Sequence, residues 1–299
     1  MLITGATGLV GTALQESFNE QGYEMLLASR GEPKDERYIQ WDIENGFAEP
    51  DRLEGLDAVV HLAGESVFGL RWTDEKKKAI RDSRVLGTRS IVEAISKLKD
   101  RPKVLVAASA IGFYGERGDE EMTESAVAGD TFLADVSKQW ESEARRAEDA
   151  GIRTVLLRTG IVLSKDGGAL GTMLTPFKLG VGGVVGSGKQ WMSWVALDDH
   201  IAAINYAIEN ESLRGAVNAT SPQPVTNQEF TKTLGEVVYR PTLIPMPEFV
   251  VSMVLGEMGD ELLLTSTKVL PKRLLDAGFE FKYPALKAAI EHAVSEPPA

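Results

Sequence analysis

The sequence predicts an α/β protein: a doubly wound parallel sheet followed by a smaller C-terminal α+β lobe. Three observations carry the prediction. Over the first half, short apolar runs alternate with amphipathic stretches of helical period, the pattern of parallel strands joined by right-handed crossovers. A glycine-rich turn, Gly5-Ala6-Thr7-Gly8-Leu9-Val10-Gly11, separates the first apolar run from the first helical stretch. After about residue 164 the texture changes: glycines crowd 167–188, Trp191 and Trp194 follow, and the helical stretches become shorter. Residues 1–165 are therefore assigned to the sheet domain and 166–299 to the lobe, with 191–210 expected to return to the sheet.

The elements follow in order. Residues 1–4 form a short strand. Residues 9–21 form a helix, with Leu9, Ala13, Leu14 and Phe18 on one face and Gly22 as its stop. Strands are expected at 23–29, 38–41 and 58–62, the last continuously apolar, as a strand covered on both faces should be. One long helix lies within 73–99. A strand at 104–108, a helix at 132–150 and a strand at 154–157 complete the alternation. Later helices are expected at 198–210, 227–238, around 262–277 and from 284 to about 294, with a frayed tail at 296–299. The apolar stripe of Val250, Val251, Val254 and Leu255 reads as core or as a subunit contact, and the oligomeric state is open.

Composition narrows the function classes. The chain has 299 residues, 43% apolar and 25% charged, which excludes a mostly disordered protein. It has no cysteine, so disulfides, thiolate nucleophiles and cysteine metal sites are excluded. Its net charge of −12 repels phosphate backbones and it has no basic patch, so no nucleic-acid partner is expected. No apolar run is long enough to span a bilayer, and no leader peptide is visible, so the expectation is a cytoplasmic protein without membrane contact. His61, His200 and His292 are isolated, which argues against a metal site, and no G-x-S-x-G elbow supports a serine hydrolase.

The glycine turn carries the chemistry. In a strand–turn–helix unit, a Cβ at these glycines would obstruct the tight bend, the approach of a pyrophosphate, or the packing of helix on sheet. The helix N-terminus then offers free amides and a partial positive charge to phosphates. Gly5, Thr7, Gly8, Leu9, Val10 and Gly11 are thus assigned to a dinucleotide. The second strand ends in Ser29-Arg30 rather than in an acid. A guanidinium there favours a 2′-phosphate, hence NADP over NAD; the bland alternative is a solvated arginine. Asp42 either accepts from the adenine amino group or caps local amides.

With these residues in place, the chain resembles the extended short-chain dehydrogenase/reductases, the superfamily of sugar-nucleotide epimerases and dehydratases, whose sheet is a Rossmann fold. His61-Leu62-Ala63-Gly64, Ser109-Ala110-Ile111-Gly112-Phe113-Tyr114-Gly115, Leu157-Arg158-Thr159-Gly160 and Trp194-Val195-Ala196-Leu197-Asp198-Asp199 are similar to its motifs. Over nearly the whole length it is similar to the subgroup called epimerase family proteins, or cell-division-inhibitor-like, which carries a C-terminal module of unknown function. Ala63-Gly64-Glu65, Ser83-Arg84, Trp140-Glu141, Leu262-Leu263-Leu264 and Val269-Leu270-Pro271-Lys272-Arg273-Leu274 match that subgroup. The resemblance implies that Leu62, Ala63, Gly64, Glu65, Arg84 and Arg158 line the NADP site. It also implies an oxidoreductase or epimerase acting on a small molecule, a sugar nucleotide or another carbonyl compound.

The superfamily's Tyr-x-x-x-Lys pair is incomplete. If Lys138 takes the lysine role, Ala134 stands where the tyrosine belongs. Ser109 and Tyr114 are the nearest replacement proton donors by motif, although Tyr114 also reads as a packing aromatic. Glu65 is a third candidate, on the expectation that burial raises its pKa. The alternative is an NADP(H)-binding regulatory protein without turnover. On the substrate side, Gly167-Gly168-Ala169-Leu170 with Met173, Leu174, Pro176 and Phe177 reads as a lid or pocket wall. Lys189, in Gly186-Ser187-Gly188-Lys189-Gln190, reads either as a phosphate contact or as part of a surface turn.

Overall fold

The computed structural model describes residues 1–69 and 71–295; the expected frayed tail at 296–299 lies outside the described residues. The sheet domain runs β1 (Leu2–Thr4), α1 (Leu9–Glu20), β2 (Leu26–Ser29), β3 (Tyr38–Asp42), β4 (Gly46–Phe47), β5 (Ala58–His61), α2 (Asp74–Ser96), β6 (Val104–Ala110), β7 (Glu121–Met122), α3 (Phe132–Arg145) and β8 (Arg153–Thr159). The rest comprises β9 (Ile161–Leu163), α4 (Gly168–Lys178), β10 (Trp191–Met192), β11 (Trp194–Ala196), α5 (Leu197–Glu209), β12 (Gly215–Ala219), β13 (Val225–Thr226), α6 (Asn227–Val237) and α7 (Glu248–Leu255). Then follow α8 (Glu257–Gly259) with a π turn at Asp260–Leu264, β14 (Lys268–Val269), α9 (Lys272–Asp276) and α10 (Leu286–Ser295).

The doubly wound class is the fold observed. Eight strands lie in the order β12-β8-β6-β5-β1-β2-β3-β4. All neighbours are parallel except β3 and β4. Strand alternation divides the core into two faces. Ile3, Val60, Val106, Val155 and Val217 pack under α1 and α5, against Leu14, Phe18 and Ile204. Leu2, Val59, Leu105 and Leu156 pack under α2 and α3, against Ile91, Ile95 and Ala144. The chain winds outward from β1 through β2 and β3, then returns to β5 on the other side of β1. That reversal leaves a cleft beyond the carboxyl ends of β1 and β5.

A third core joins α4, α6 and α10 to β9 and β11 through Leu174, Phe177, Trp194, Phe230 and Ile290. The segment read as a lid is the helix α4. Leu170, Leu174 and Phe177, at helical spacing, bury its inner face. The helix expected around 262–277 is instead the π turn, the short strand β14 and the five-residue α9. Pro271 explains the break, since it donates no N–H and holds Leu270 out of the helical region. The strand β12 went unpredicted because Gly215 and Asn218 interrupt its apolar run, yet it closes one edge of the main sheet beside β8.

Candidate functional site

The turn after β1 is built by close backbone packing. Gly5 adopts φ +70°, and a Cβ there would lie 2.8 Å from the Leu62 carbonyl carbon. A Cβ at Gly11 would lie 2.3 Å from the Gly5 oxygen. Both glycines are demanded by the protein itself. Gly8 is not. A Cβ there would meet only the Gly5 oxygen, at 3.4 Å, and its φ is an ordinary −83°. Gly8 and Thr7 face solvent, Gly8 is the N-cap of α1, and no side chain caps that helix. The uncapped amides and the missing side chain leave a cradle that suits a phosphate. Gln15 braces it by donating to the Ala6 and Gly11 carbonyls at 2.6 and 3.1 Å.

Beneath the turn lies a buried relay that the sequence reading missed. Thr4 Oγ1 accepts the Leu62 and Ala63 N–H groups, both at 3.2 Å. Its own proton therefore goes to His61 Nδ1, 2.6 Å away, which leaves His61 Nε2 to donate to Thr88 Oγ1 at 3.0 Å. Burial lowers the His61 pKa to about 4, so the imidazole stays neutral. This relay holds the ends of β1 and β5 in the register that packs Leu62 against Gly5.

The flanks of the cleft show where the other predicted residues lie. Ser29 Oγ accepts the Gly31 N–H at 3.3 Å, and Arg30 is exposed beyond it. Asp42 Oδ1 accepts the Glu44 and Asn45 N–H groups at 2.9 and 2.7 Å, so its carboxylate is engaged in a local turn that holds its pKa down. Glu65 departs from expectation. Its carboxylate lies 2.6 Å from Lys76, and that hydrogen bond, with the charges of Lys76, Arg30 and Arg84, holds its pKa below the usual value despite partial burial. It is a poor acid at neutral pH. Arg84 supports the same loop from below, donating to the Glu65 and Ile80 carbonyls at 2.9 and 3.1 Å and stacking 5.1 Å over Trp140. Burial lowers its guanidinium to about 10, so it remains charged.

Ser109, Tyr114 and Arg158 belong together, but inside the protein. Arg158 and Glu141 form a bidentate pair at 2.8 and 2.9 Å, with both side chains buried. Ser109 donates to Glu141 at 2.7 Å. Arg158 donates to the Tyr114 hydroxyl at 3.0 Å, and that hydroxyl donates to Asn218 Oδ1 at 2.6 Å. Arg158 also stacks 3.5 Å over Phe113. Tyr114 has no exposed surface, and burial raises its pKa. The motif reading put Ser109 and Tyr114 at the reacting centre and Arg158 on the cofactor. The structure places all three in one buried network joining α3, β6, β8 and β12, in which both hydroxyls donate and both oxygens of Glu141 accept. On the helix where the tyrosine belongs, Ala134 is fully buried, and Lys138 points outward, half-exposed and 3.9 Å from Asp135.

The lobe closes the other side. A Cβ at Gly167 would come within 3.8 Å of Leu9, which sets the start of α4 against the N-terminus of α1. Lys189 is exposed on a turn closed by Gly188 N–H to the Val185 carbonyl at 3.1 Å. The segment around the π turn plugs the gap between the lobe and α3. Glu261 accepts the Phe132 and Leu133 N–H groups, each at 2.9 Å, and Trp191 donates to Asp119 at 2.8 Å while Ser266 receives its backbone N–H. Among the described residues no cluster of acids and histidines is arranged to hold a metal ion.

This arrangement has counterparts among known proteins. A model of the NAD dependent epimerase/dehydratase family matches residues 1–219, and a model of a domain of unknown function, DUF1731, matches residues 246–293. The chain is 38% identical over 299 residues to Epimerase family protein YfhF of Bacillus subtilis (strain 168), covering 98% of this chain and 97% of YfhF. It is similar, with a TM-score of 0.91 and 35% identity over 99% of each chain, to the crystal structure of human epimerase family protein SDR39U1 (isoform2) with NADPH. It is also similar to the nucleoside-diphosphate sugar epimerase from Corynebacterium glutamicum, with a TM-score of 0.81 and 36% identity, covering 98% of this chain and 57% of that one.

Proposed function

This chain belongs to the NAD dependent epimerase/dehydratase family, and on that premise we propose that it binds NADP(H) and does not perform the tyrosine-dependent hydride chemistry of sugar-nucleotide epimerases. The Gly8 cradle and the uncapped start of α1 would hold the pyrophosphate. Ser29 and Arg30 would take the 2′-phosphate, and Leu62, Ala63 and Gly64 would lie along the cofactor. NADPH in the similar human protein supports that choice. When bound, the nicotinamide supplies a hydride donor or acceptor; this chain's own residues position it and shield it.

The observation that carries the negative half is the fate of the hydroxyls. α3 carries no tyrosine, and the two nearest replacements by motif, Ser109 and Tyr114, are buried in the Glu141–Arg158 network. No side chain there is free to move a proton to or from a substrate oxygen. A second reading, an oxidoreductase on a carbonyl substrate, is favoured by the intact cradle after β1. In that case the proton comes from water or substrate.

Calorimetry with NADPH, followed by nicotinamide absorbance against sugar-nucleotide and carbonyl panels, separates the two. Binding without turnover is the expected result. Turnover of a sugar nucleotide would sink the first reading, and absence of NADPH binding would sink both. In keeping with a cysteine-free chain in which no described helix is long and apolar enough to cross a membrane, we place the protein in the cytoplasm.

A further inference from the structure

Exposed apolar side chains concentrate in one stretch of the C-terminal lobe, whose helix α7 is tied to the loop after β5 by Arg71, a donor to the Met253 and Val254 carbonyls. Among the described residues, nine of the thirteen exposed large apolar side chains fall within 179–181 and 239–254. Tyr239 is 87% exposed, Leu243 81%, Phe249 65% and Met253 66%. α7 is almost wholly apolar, yet only Val251 of it is buried. At side-chain areas of about 150–250 Å² for the largest of these residues, the exposures leave on the order of 1,000 Å² uncovered. That exceeds the few hundred Å² of apolar patch usual on a monomer and the roughly 800 Å² that each partner contributes to a standard interface.

The segment 239–249 is held on one side only. Met246 donates to the Val184 carbonyl at 2.8 Å, Gly186 donates to the Met246 carbonyl at 2.9 Å, and Arg240 Nε donates to the Lys178 carbonyl at 2.9 Å. A Cβ at Gly183 would lie 1.8 Å from the Ile244 oxygen, so the two backbones are in direct contact. The outer side faces solvent. Pro241, Pro245 and Pro247 interrupt the run of N–H donors along that edge, which disfavours adding a strand and leaves side chains to make the contact.

The order of residues identifies the occupant. The segment reads Tyr239-Arg240-Pro241-Thr242-Leu243-Ile244-Pro245-Met246-Pro247-Glu248-Phe249. Reversed about Ile244 it matches itself in chemistry at four of five pairs: aromatic with aromatic, arginine with glutamate, proline with proline and Leu243 with Pro245, the exception being Thr242 with Met246. We propose that this face is where two copies of the chain associate about a two-fold axis at Ile244, with Arg240 of each copy opposite Glu248 of the other and the apolar face of α7 flanking the contact. A two-fold interface needs such self-complementarity, because the same patch meets itself. The net charge of −12 argues against an anionic lipid surface, which recruits clusters of basic residues.

Sedimentation velocity on the full chain across the micromolar range tests this, with circular dichroism and NADPH binding as controls for folding. The wild type is expected to sediment at twice the chain mass, and Ile244→Asp at the chain mass. Arg240→Glu and Glu248→Arg should each weaken association by about tenfold or more, and the two together should restore it. A wild type that stays monomeric, an Ile244→Asp variant that still dimerises, or a double reversal no better than either single change would overturn the proposal. Binding to anionic vesicles without self-association would also overturn it and would assign the patch to lipid.

Discussion

Gly8 and Arg30 carry the cofactor reading at the level of single residues. Gly5 and Gly11 are required by neighbouring backbone, so substituting them tests folding rather than binding. Gly8 is the informative glycine, because the protein leaves space above it. Gly8→Val should leave the urea midpoint nearly unchanged and lower NADPH affinity by at least tenfold in calorimetry; equal affinity would remove the phosphate from that cradle. Arg30→Glu should weaken NADPH binding by about 1.5–3 kcal/mol, the scale of a charge-assisted hydrogen bond, and shift preference toward NADH. Arg30 was legible because its position follows the second strand. The Thr4–His61–Thr88 relay was not, because its three members are far apart in sequence and meet only when β1, β5 and α2 pack.

α3 shows how an element redirects its residues. Thr131 caps it by accepting the Ala134 N–H at 3.3 Å, and Glu261 takes two further amides, so the C-terminal module fixes the start of this helix. Its buried face presents Glu141 to Arg158 on β8 and to Ser109 on β6. Arg158→Met should destabilise the protein by about 3–5 kcal/mol, because it strands a buried carboxylate. Tyr114→Phe should lower stability by about 1–3 kcal/mol, while NADPH affinity of the folded protein stays unchanged. Denaturant titration and calorimetry measure both. Loss of turnover in Tyr114→Phe at full stability would return that residue to catalysis. Motif spacing put Ser109 and Arg158 near the ends of β6 and β8 and Tyr114 in the turn after β6, where the structure has them. It did not reveal that their side chains point into the core, since burial at the end of a strand depends on what the next element covers.

For the molecule as a whole, two buried histidines set a pH dependence. Burial lowers both His61 and His200 to about 4 from the ordinary 6.5. Between those values the unfolded chain binds protons that the folded chain does not, so stability is complete above about pH 6.5 and falls as pH drops toward 4. Each histidine contributes on the order of 3 kcal/mol over that window. The urea midpoint should therefore fall between pH 7 and pH 5, and a flat profile would refute the burial of both imidazoles. The doubly wound sheet, the glycine turn, the arginine after β2 and the absence of a tyrosine from α3 are all legible in the chain's own order of residues. Those are local signals, written in period, spacing and residue type within a few positions. Packing between elements was needed to see that Ser109, Tyr114 and Arg158 share one buried network, that Glu65 is paired with Lys76, and that 262–277 is not one helix. Each of these depends on which distant surface covers a side chain, and covering is a property of packing between elements rather than of any one of them.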